Sequence, residues 1–212
     1  MAESTHATHP AAPAHDTPVA FRRATAADAL EVARRMFDRG ERLDMRVLAE
    51  RLGIGRTTLY RWVGDREELI GSVLAAMSDH TFRHTLARAR GAGVPRALGT
   101  IRAFMQLTSD YQPLCDFAVR EPGPALRVLM AQDGAVARSL HQGFKAALDD
   151  AGIQLPEESG TETLDILVQL ATALEWTPVV VGQPAAIDRA VRLMQTLLTA
   201  AGHHSRSVPG QP

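Results

Sequence analysis

The sequence is poor in cysteine, lysine and aromatic residues, with one cysteine (Cys115), one lysine (Lys145) and only 5% Phe, Trp and Tyr. A single cysteine excludes an intrachain disulfide and is typical of a protein that works in a reducing compartment. No run approaches the roughly 18–20 uninterrupted apolar residues of a membrane-spanning helix. The first residues also lack the basic start and apolar run of a signal peptide. We therefore expect a cytoplasmic protein with no membrane partner.

A strong charge of either sign is also missing. The formal net charge is −1 at pH 7, with 22% charged and 45% hydrophobic residues, which is the ordinary composition of a globular domain. Affinity for nucleic acid would therefore have to come from a local arrangement of basic residues and not from the overall charge.

The usual parts of a catalytic or metal centre are absent from the sequence pattern. Cys115 has no histidine at an obvious spacing, the acid pairs at 149–150 and 157–158 fall at a helix end and in a loop, and no glycine-rich phosphate loop occurs. His80 and His84 have a metal-ligand spacing on one helix, but no third ligand is evident nearby. We expect no enzymatic activity, no cofactor and no bound metal.

The clearest pattern is a pair of short helices joined by a glycine turn. Residues 44–52 have the apolar spacing of a helix, with Asp44 at the N-cap position. The Gly-Ile-Gly sequence at 53–55 ends that helix, and Leu59 and Val63 mark the apolar face of a second one. This pattern predicts a DNA-binding helix-turn-helix.

The polar face of the second helix favours DNA over a purely structural helix pair. Residues 54–64 contain no acidic residue, whereas an ordinary solvated face more often carries Glu and Lys. Arginine can make a bidentate hydrogen bond to guanine, threonine offers a methyl and a hydroxyl group, and tyrosine can donate to phosphate oxygens.

Residues 48–70, LAERLGIGRTTLYRWVGDREELI, resemble the helix-turn-helix motif of the TetR family of bacterial one-component repressors. The match includes the Tyr60/Trp62 pair and the Asp-Arg-Glu start of the next helix at 65–67, while Trp62 and Val63 stand where many members have His and Phe. The preceding segment, ATAADAL…RRMF…RGERLDM, resembles a subgroup associated with degradation of lactone-type quorum signals.

The resemblance and the helical pattern together predict an all-α fold in four segments. These are a disordered arm (1–20), a three-helix helix-turn-helix domain (21–75), a larger helical ligand-binding and dimerisation domain (76–202) and a disordered tail (203–212). We expect base contacts from Arg56 and Thr57, and contacts with the DNA backbone from Thr58, Tyr60, Trp62 and Arg66. The predicted DNA-binding residues are Thr25, Arg46, Arg56, Thr57, Thr58, Tyr60, Arg61, Trp62 and Arg66.

The last two helices, predicted at 161–177 and 185–201, each have an apolar arc that is too wide for one buried contact. Two adjacent stripes on each helix predict one contact with the protein's own core and one with a second subunit in a four-helix bundle. The sequence does not distinguish the two stripes. We expect charged replacements at two residues of one stripe to give a folded monomer that binds the operator weakly. The candidate residues are Leu167, Val168, Leu174, Val191, Met194 and Leu198.

A ligand pocket between the body helices is the remaining expectation. Its predicted lining residues are Met105, Phe117, Met130, Phe144 and Trp176, with His141 or Glu175 as the polar contact. The alternatives are that the apolar residues are simply core, and that Glu175 reaches solvent at the helix end before Pro178. The subgroup resemblance implies an acyl or lactone ligand.

These expectations combine into one function. The sequence predicts a transcriptional regulator, and its resemblance to the TetR family implies a repressor, which binds a near-palindromic double-stranded DNA operator as a homodimer. A small, largely apolar molecule is expected to release it from the operator. The alternative is an architectural DNA-binding protein with no ligand, although such proteins usually carry a strong positive charge.

Overall fold

The computed structural model describes residues 24–155 and 159–204, with side chains up to residue 200. These residues form ten α-helices and no strand, so the predicted all-α fold is confirmed. The helices are α1 (Ala26–Asp38), α2 (Met45–Leu52), α3 (Arg56–Val63), α4 (Arg66–Arg88), α5 (Gly93–Ser109), α6 (Gln112–Arg120), α7 (Pro122–Met130), α8 (Ala135–Asp150), α9 (Gly160–Val179) and α10 (Ile187–His204). None of the described helices has the length and apolar character that a membrane span requires.

Two helix ends differ from the sequence expectation. The Glu-Pro-Gly-Pro sequence at 121–124 predicts a turn, but α7 begins at Pro122 because a proline in the first turn needs no hydrogen-bond donor there. α10 continues to His204, two residues into the predicted tail. The predicted arm at 1–20 and the rest of the tail at 205–212 lie outside the described residues.

Short-range capping explains where the N-terminal helices begin. Thr25 and Asp28 form a reciprocal capping box at the start of α1. Asp44 accepts hydrogen bonds from the backbone N–H groups of Val47 and Arg46, which hold the pKa of its carboxyl below the usual value. Gly53 ends α2 with a φ of +65°, a left-handed conformation that favours glycine.

α4 connects the N-terminal three-helix head (α1–α3) to the body (α5–α10). It packs against α1 at one end and most extensively against α8 and α5 further along. Phe82 of α4 stacks on Phe104 with ring centroids 3.9 Å apart and meets the edge of Phe144 at 5.9 Å. The close approach of α4 and α8 at this point depends on Gly143, which leaves space for the Phe82 ring.

The structure distinguishes the two apolar stripes on α9 and α10. Five of the six residues expected to tolerate charge are buried within the protomer: Leu167, Val168, Val191, Met194 and Leu198. The sixth, Leu174, is half-buried against the same core. The expectation that charges there would leave a folded protomer was therefore wrong, because a charge at these sites would be buried without a partner.

The second stripe faces outward. Ile166, Leu193 and Leu197 are 43%, 41% and 37% exposed, and Leu170 and Ala173 beside them are half-buried. These five residues are called the exposed stripe below.

Candidate nucleic-acid interface and ligand cleft

α3 presents a polar surface that is held from behind by a single buried leucine. Leu59 is completely buried, while Arg56, Thr57 and Arg61 are exposed and Tyr60 is 48% exposed. Neither arginine has an ion-pair or hydrogen-bond partner within the described segments. Both guanidinium groups are therefore free to meet an anionic ligand.

The backbone at the start of α3 also favours the binding of a phosphate group. Gly55 occupies the N-cap position, so no side chain caps the first N–H groups of the helix. Uncapped N–H groups at a helix N-terminus carry partial positive charge and attract phosphate. The predicted contacts Thr58 and Trp62 are half-buried, and Trp62 also packs against the core.

The other predicted DNA contacts are already engaged within the protein. The Thr25 hydroxyl donates to Asp28 over 2.7 Å, and Arg46 pairs with Glu50 at 2.8 Å on an exposed surface. Arg66 donates from Nη1 and Nη2 to the two carboxylate oxygens of Glu121, both at 2.8 Å, and from Nε to a backbone carbonyl.

The Arg66–Glu121 pair belongs to a set of contacts that join the head and the first turn of α4 to α6 and α7, which we call the head–body seam. Arg127 of α7 pairs with Glu67 of α4 at 2.6 Å, which lowers the pKa of Glu67. The hydroxyl group of Tyr111 donates a hydrogen bond to Asp38 of α1. Burial is the main cause of the raised pKa of Tyr111. Sequence reasoning missed these partners because they lie far apart in the chain.

A cleft of about 730 Å³ opens between the end of α7, α8 and α9; we call it the outer cleft. The predicted ligand residues Met130 and His141 both line it. His141 is held in place, with Nδ1 2.7 Å from the carbonyl oxygen of Ala137 and Nε2 2.7 Å from a carboxylate oxygen of Asp165. The cleft is lined by Leu129, Met130, Ala131, Gln132, Asp133, Ala137, Arg138, Leu140, His141, Gln142, Asp165, Val168, Gln169, Thr172 and Ala173.

A second, much smaller space of about 30 Å³ lies deeper, between α4, α5, α8 and α9; we call it the inner cavity. Four of the predicted ligand residues line it: Met105, Phe144, Glu175 and Trp176. It adjoins the outer cleft, because Leu129, Leu140 and Thr172 line both.

Phe117 lines neither space. It is buried at the head–body seam, where its ring meets the edge of Phe37 with centroids 5.8 Å apart. The structure therefore brings six of the seven predicted ligand residues together around two adjoining spaces and separates Phe117 from them.

Glu175 does not reach solvent, contrary to one of the two sequence interpretations. It is only 3% exposed, and its Oε1 accepts hydrogen bonds from the hydroxyl groups of Thr108 at 2.6 Å and Ser109 at 3.1 Å. Burial raises the pKa of this carboxyl to about 8, and the two hydroxyl groups oppose that shift only in part.

His80 and His84 are exposed on α4, and Arg88 donates to Nδ1 of His84 over 2.8 Å. Across the described part of the chain, no three His, Cys, Asp or Glu side chains converge in a way that could hold a metal ion.

The chain is similar to known regulators over most of its length. The family described as "Tetracyclin repressor-like, C-terminal domain" matches residues 92–199. The solved structure of the transcriptional repressor QsdR of R. erythropolis, described as from the TetR family, is 32% identical, with a TM-score of 0.76 over 82% of this chain and 94% of that chain. No curated protein matches the chain.

Two further solved structures share the fold. A TetR transcriptional regulator from Rhodococcus sp. RHA1 is 20% identical, with a TM-score of 0.54 over 82% of this chain and 92% of that one. The TetR family repressor AlkX from Dietzia sp. strain DQ12-45-1b, described as implicated in biodegradation of n-alkanes, is 16% identical, with a TM-score of 0.57 over 82% of this chain and 96% of that one.

Proposed function

This chain belongs to the TetR family of transcriptional regulators, and from that premise we propose that it is a repressor that binds a near-palindromic operator as a homodimer and is released by a small, largely apolar ligand. In this proposal residues 21–75 form the DNA-reading head, and residues 76–202 form the body that binds the ligand and the second subunit.

The observation that carries DNA reading is the surface of α3. Its exposed Arg56, Thr57, Tyr60 and Arg61 lie on a helix anchored by the buried Leu59, and residues 54–64 include no acid. We propose that Arg56 and Thr57 contact base edges in the major groove, because residues at the start of a recognition helix lie deepest there. The other polar side chains of α3 would hold the phosphate backbone.

Operator selection from random DNA, followed by binding measurements on two variants, tests this assignment. Arg56→Ala should lose about 1–3 kcal/mol of discrimination at one base position. Tyr60→Phe should weaken all sequences about equally. Arg83→Ala, at an exposed position in the C-terminal part of α4, is the matched control and should bind like wild type. If both α3 variants also bound the selected operator like wild type, the recognition helix would lie elsewhere.

The exposed stripe supports the homodimer. It covers one face of two adjacent helices, and a contiguous apolar patch on a soluble protein usually marks an interaction surface. Pairing α9 and α10 with the same helices of a second copy would bury it in a four-helix bundle. Two linked heads would then bind two half-sites, which raises operator affinity far above that of one head.

Ligand release is supported by the outer cleft and by its connection to α4. A volume of about 730 Å³ lies within the range of about 300–1,000 Å³ typical of small-molecule sites. Phe144 lines the inner cavity and touches Phe82 of α4, so a ligand that displaces this ring would push on α4. A tilt of α4 would change the spacing of the two recognition helices from the 34–36 Å or so that B-DNA requires. The ligand acts only if it prefers one spacing over the other.

Melting temperatures measured with a small-molecule library distinguish the proposed repressor from an architectural DNA-binding protein. The proposed sensor should show a higher melting temperature with some members of a small-molecule library, because a ligand that binds only the folded state stabilises it. An architectural protein would bind the selected DNA and show no such shift with any compound.

A further inference from the structure

Glu175 is a buried carboxyl group with one oxygen in use and the other unused. Oε1 accepts from two hydroxyl groups of α5, whereas Oε2 makes no hydrogen bond within the part of the chain that the structure describes. Its side chain lines the inner cavity, whose other lining residues are mostly apolar. Among the described residues, no fully enclosed polar side-chain atom lacks a hydrogen-bond partner, so the unpaired Oε2 keeps some accessible surface and is open to a ligand or a water.

The surroundings of Glu175 contain no positive charge. Among the described residues, the groups that act on the Glu175 carboxyl are the hydroxyl groups of Thr108 and Ser109 on α5, and the half-buried thiol of Cys115 on α6 is close enough for Glu175 to raise its pKa. A carboxylate buried without a cation is unfavourable, and protonation is the usual response. The carboxyl group is therefore neutral at neutral pH.

The hydrogen-bond geometry indicates which oxygen carries the proton. The Thr108 hydroxyl lies closer to Oε1, at 2.6 Å, than to the backbone carbonyl oxygens of Phe104 and Met105, at 3.0 and 3.1 Å. Because Oε1 accepts this bond and the one from Ser109, it acts as the carbonyl oxygen of the acid. In the arrangement proposed below, the proton is therefore placed on Oε2, the oxygen without a protein partner.

We propose that the effector of this protein is an uncharged molecule whose carbonyl oxygen enters the inner cavity and accepts a hydrogen bond from the protonated Glu175 side chain, while its apolar remainder lies in the outer cleft. The ligand class is an ester, amide or ketone on an aliphatic chain. This inference rests on the ligand response in the proposed function and adds the chemistry that the site selects.

The sizes of the two spaces agree with this arrangement. The inner cavity, at about 30 Å³, holds about one water-sized group, so only the tip of a ligand fits there. The outer cleft has room for the rest of a small molecule, and Leu129, Leu140 and Thr172 form the passage between the two. A carbonyl oxygen would take the place of a single water.

Fatty acids and alkylamines provide the contrast. A carboxylate would bring a negative charge into an enclosed, mostly apolar space, and the described residues that line it include no cation. A primary amine could bind only by ionising Glu175, and removing both charges from water is costly, so amine binding would mark the carboxylate and not the acid as the binding form.

The test uses the full-length protein, the selected operator, and four probes with the same alkyl chain: a methyl ester, an N-methylamide, a carboxylic acid and a primary amine. Binding is read from the melting temperature and from operator release. At pH 7 the ester and the amide should bind and release the operator, whereas the acid and the amine should not.

Two variants and a pH series identify the role of Glu175. Glu175→Gln keeps a neutral donor of the same shape and should bind the ester within a few fold of wild type. Glu175→Ala should weaken ester binding about tenfold or more, since each tenfold corresponds to about 1.4 kcal/mol and a hydrogen bond in such a site is worth about that much. In wild type, ester affinity should stay level at low pH and fall above a pH of about 8, when the donated proton is lost. In Glu175→Gln it should be independent of pH.

The possible outcomes distinguish failure of the proposed function from failure of the inference about the effector. Failure to select any operator would refute the proposed function. Three results would each overturn the inference about the effector. The first is operator binding that no probe changes, and the second is ester binding that Glu175→Ala leaves intact. The third is amine binding that strengthens above pH 8 and disappears in Glu175→Gln. The wild-type pH series needs no variant and stays decisive if Glu175→Ala does not fold.

Discussion

Replacing Gly143 with alanine should destabilise the protein, although the same change in a helix interior usually stabilises by about 1 kcal/mol. A Cβ added at Gly143 would lie 2.1, 2.3 and 2.5 Å from Cδ2, Cε2 and Cγ of Phe82. The ring cannot easily move away, because it is 3% exposed and is stacked on Phe104 on one side and meets Phe144 on another. Relief therefore requires α4 and α8 to separate.

The size of the effect follows from two opposing contributions. Overpacking a close-packed site typically costs about 1–3 kcal/mol, and contact with three atoms of a trapped ring lies at the upper end of that range. After the gain in helix propensity, we expect a net loss of about 2 kcal/mol in the free energy of unfolding. The displacement of α4 should also reduce operator affinity, because α4 carries the head.

Denaturant unfolding at one fixed protomer concentration measures this change, since the stability of a dimer depends on concentration. Gly99→Ala in α5 is the matched control. Its added Cβ would meet nothing within 4 Å, so the free energy of unfolding should rise by about 0.5–1 kcal/mol. Adding Phe82→Leu to Gly143→Ala should cost less than adding it to wild type. If Gly143→Ala were as stable as wild type while Gly99→Ala was stabilised, the close approach of α4 and α8 would be refuted.

Two further predictions concern assembly and signalling. Leu193→Glu with Leu197→Glu should give a folded monomer with weak operator binding, whereas Met194→Glu should lose helical structure; a double variant that sediments as a dimer would contradict the proposed interface. Glu121→Gln should lower the free energy of unfolding by about 1–3 kcal/mol through its ion pair at the head–body seam and bring the operator affinities with and without effector closer together. The exposed Glu162→Gln should change neither quantity, and an equal response in both variants would exclude a role for the seam.

The parts of the fold that could be predicted from the sequence are those that depend on near neighbours in the chain. The capping box at Thr25 and Asp28, the N-cap at Asp44 and the left-handed Gly53 each involve residues at most three positions apart. The helix-turn-helix follows from these local features and from the spacing of its apolar residues. Its residues could therefore be assigned before any tertiary contact was known.

The body required tertiary information for a different reason. Wide apolar arcs on α9 and α10 predicted two contacts, but the rotation of each helix about its own axis decides which stripe is buried. Burial of Glu175 depends on Thr108 and Ser109, 67 and 66 positions away in the chain, which no local pattern links to it. Phe117 was assigned to the pocket as an aromatic residue in an apolar helix, and only the packing of α6 on α1 explains why it lies at the head–body seam instead.

The seam also changes how a ligand would act on the head. The proposed function transmits ligand binding through α4, but α7 connects the same two regions. Glu121 at its start pairs with Arg66 in the first turn of α4, and Met130 at its end lines the outer cleft. A helix of nine residues spans only about 13 Å, so it should move as one rigid piece. While Glu121 accepts from both terminal nitrogens of Arg66, the guanidinium charge is paired and fewer of its N–H groups are left to meet a phosphate. Any ligand that shifts α7 would therefore change both the position of α4 and the availability of Arg66, so the two routes converge on the residues that begin the connecting helix.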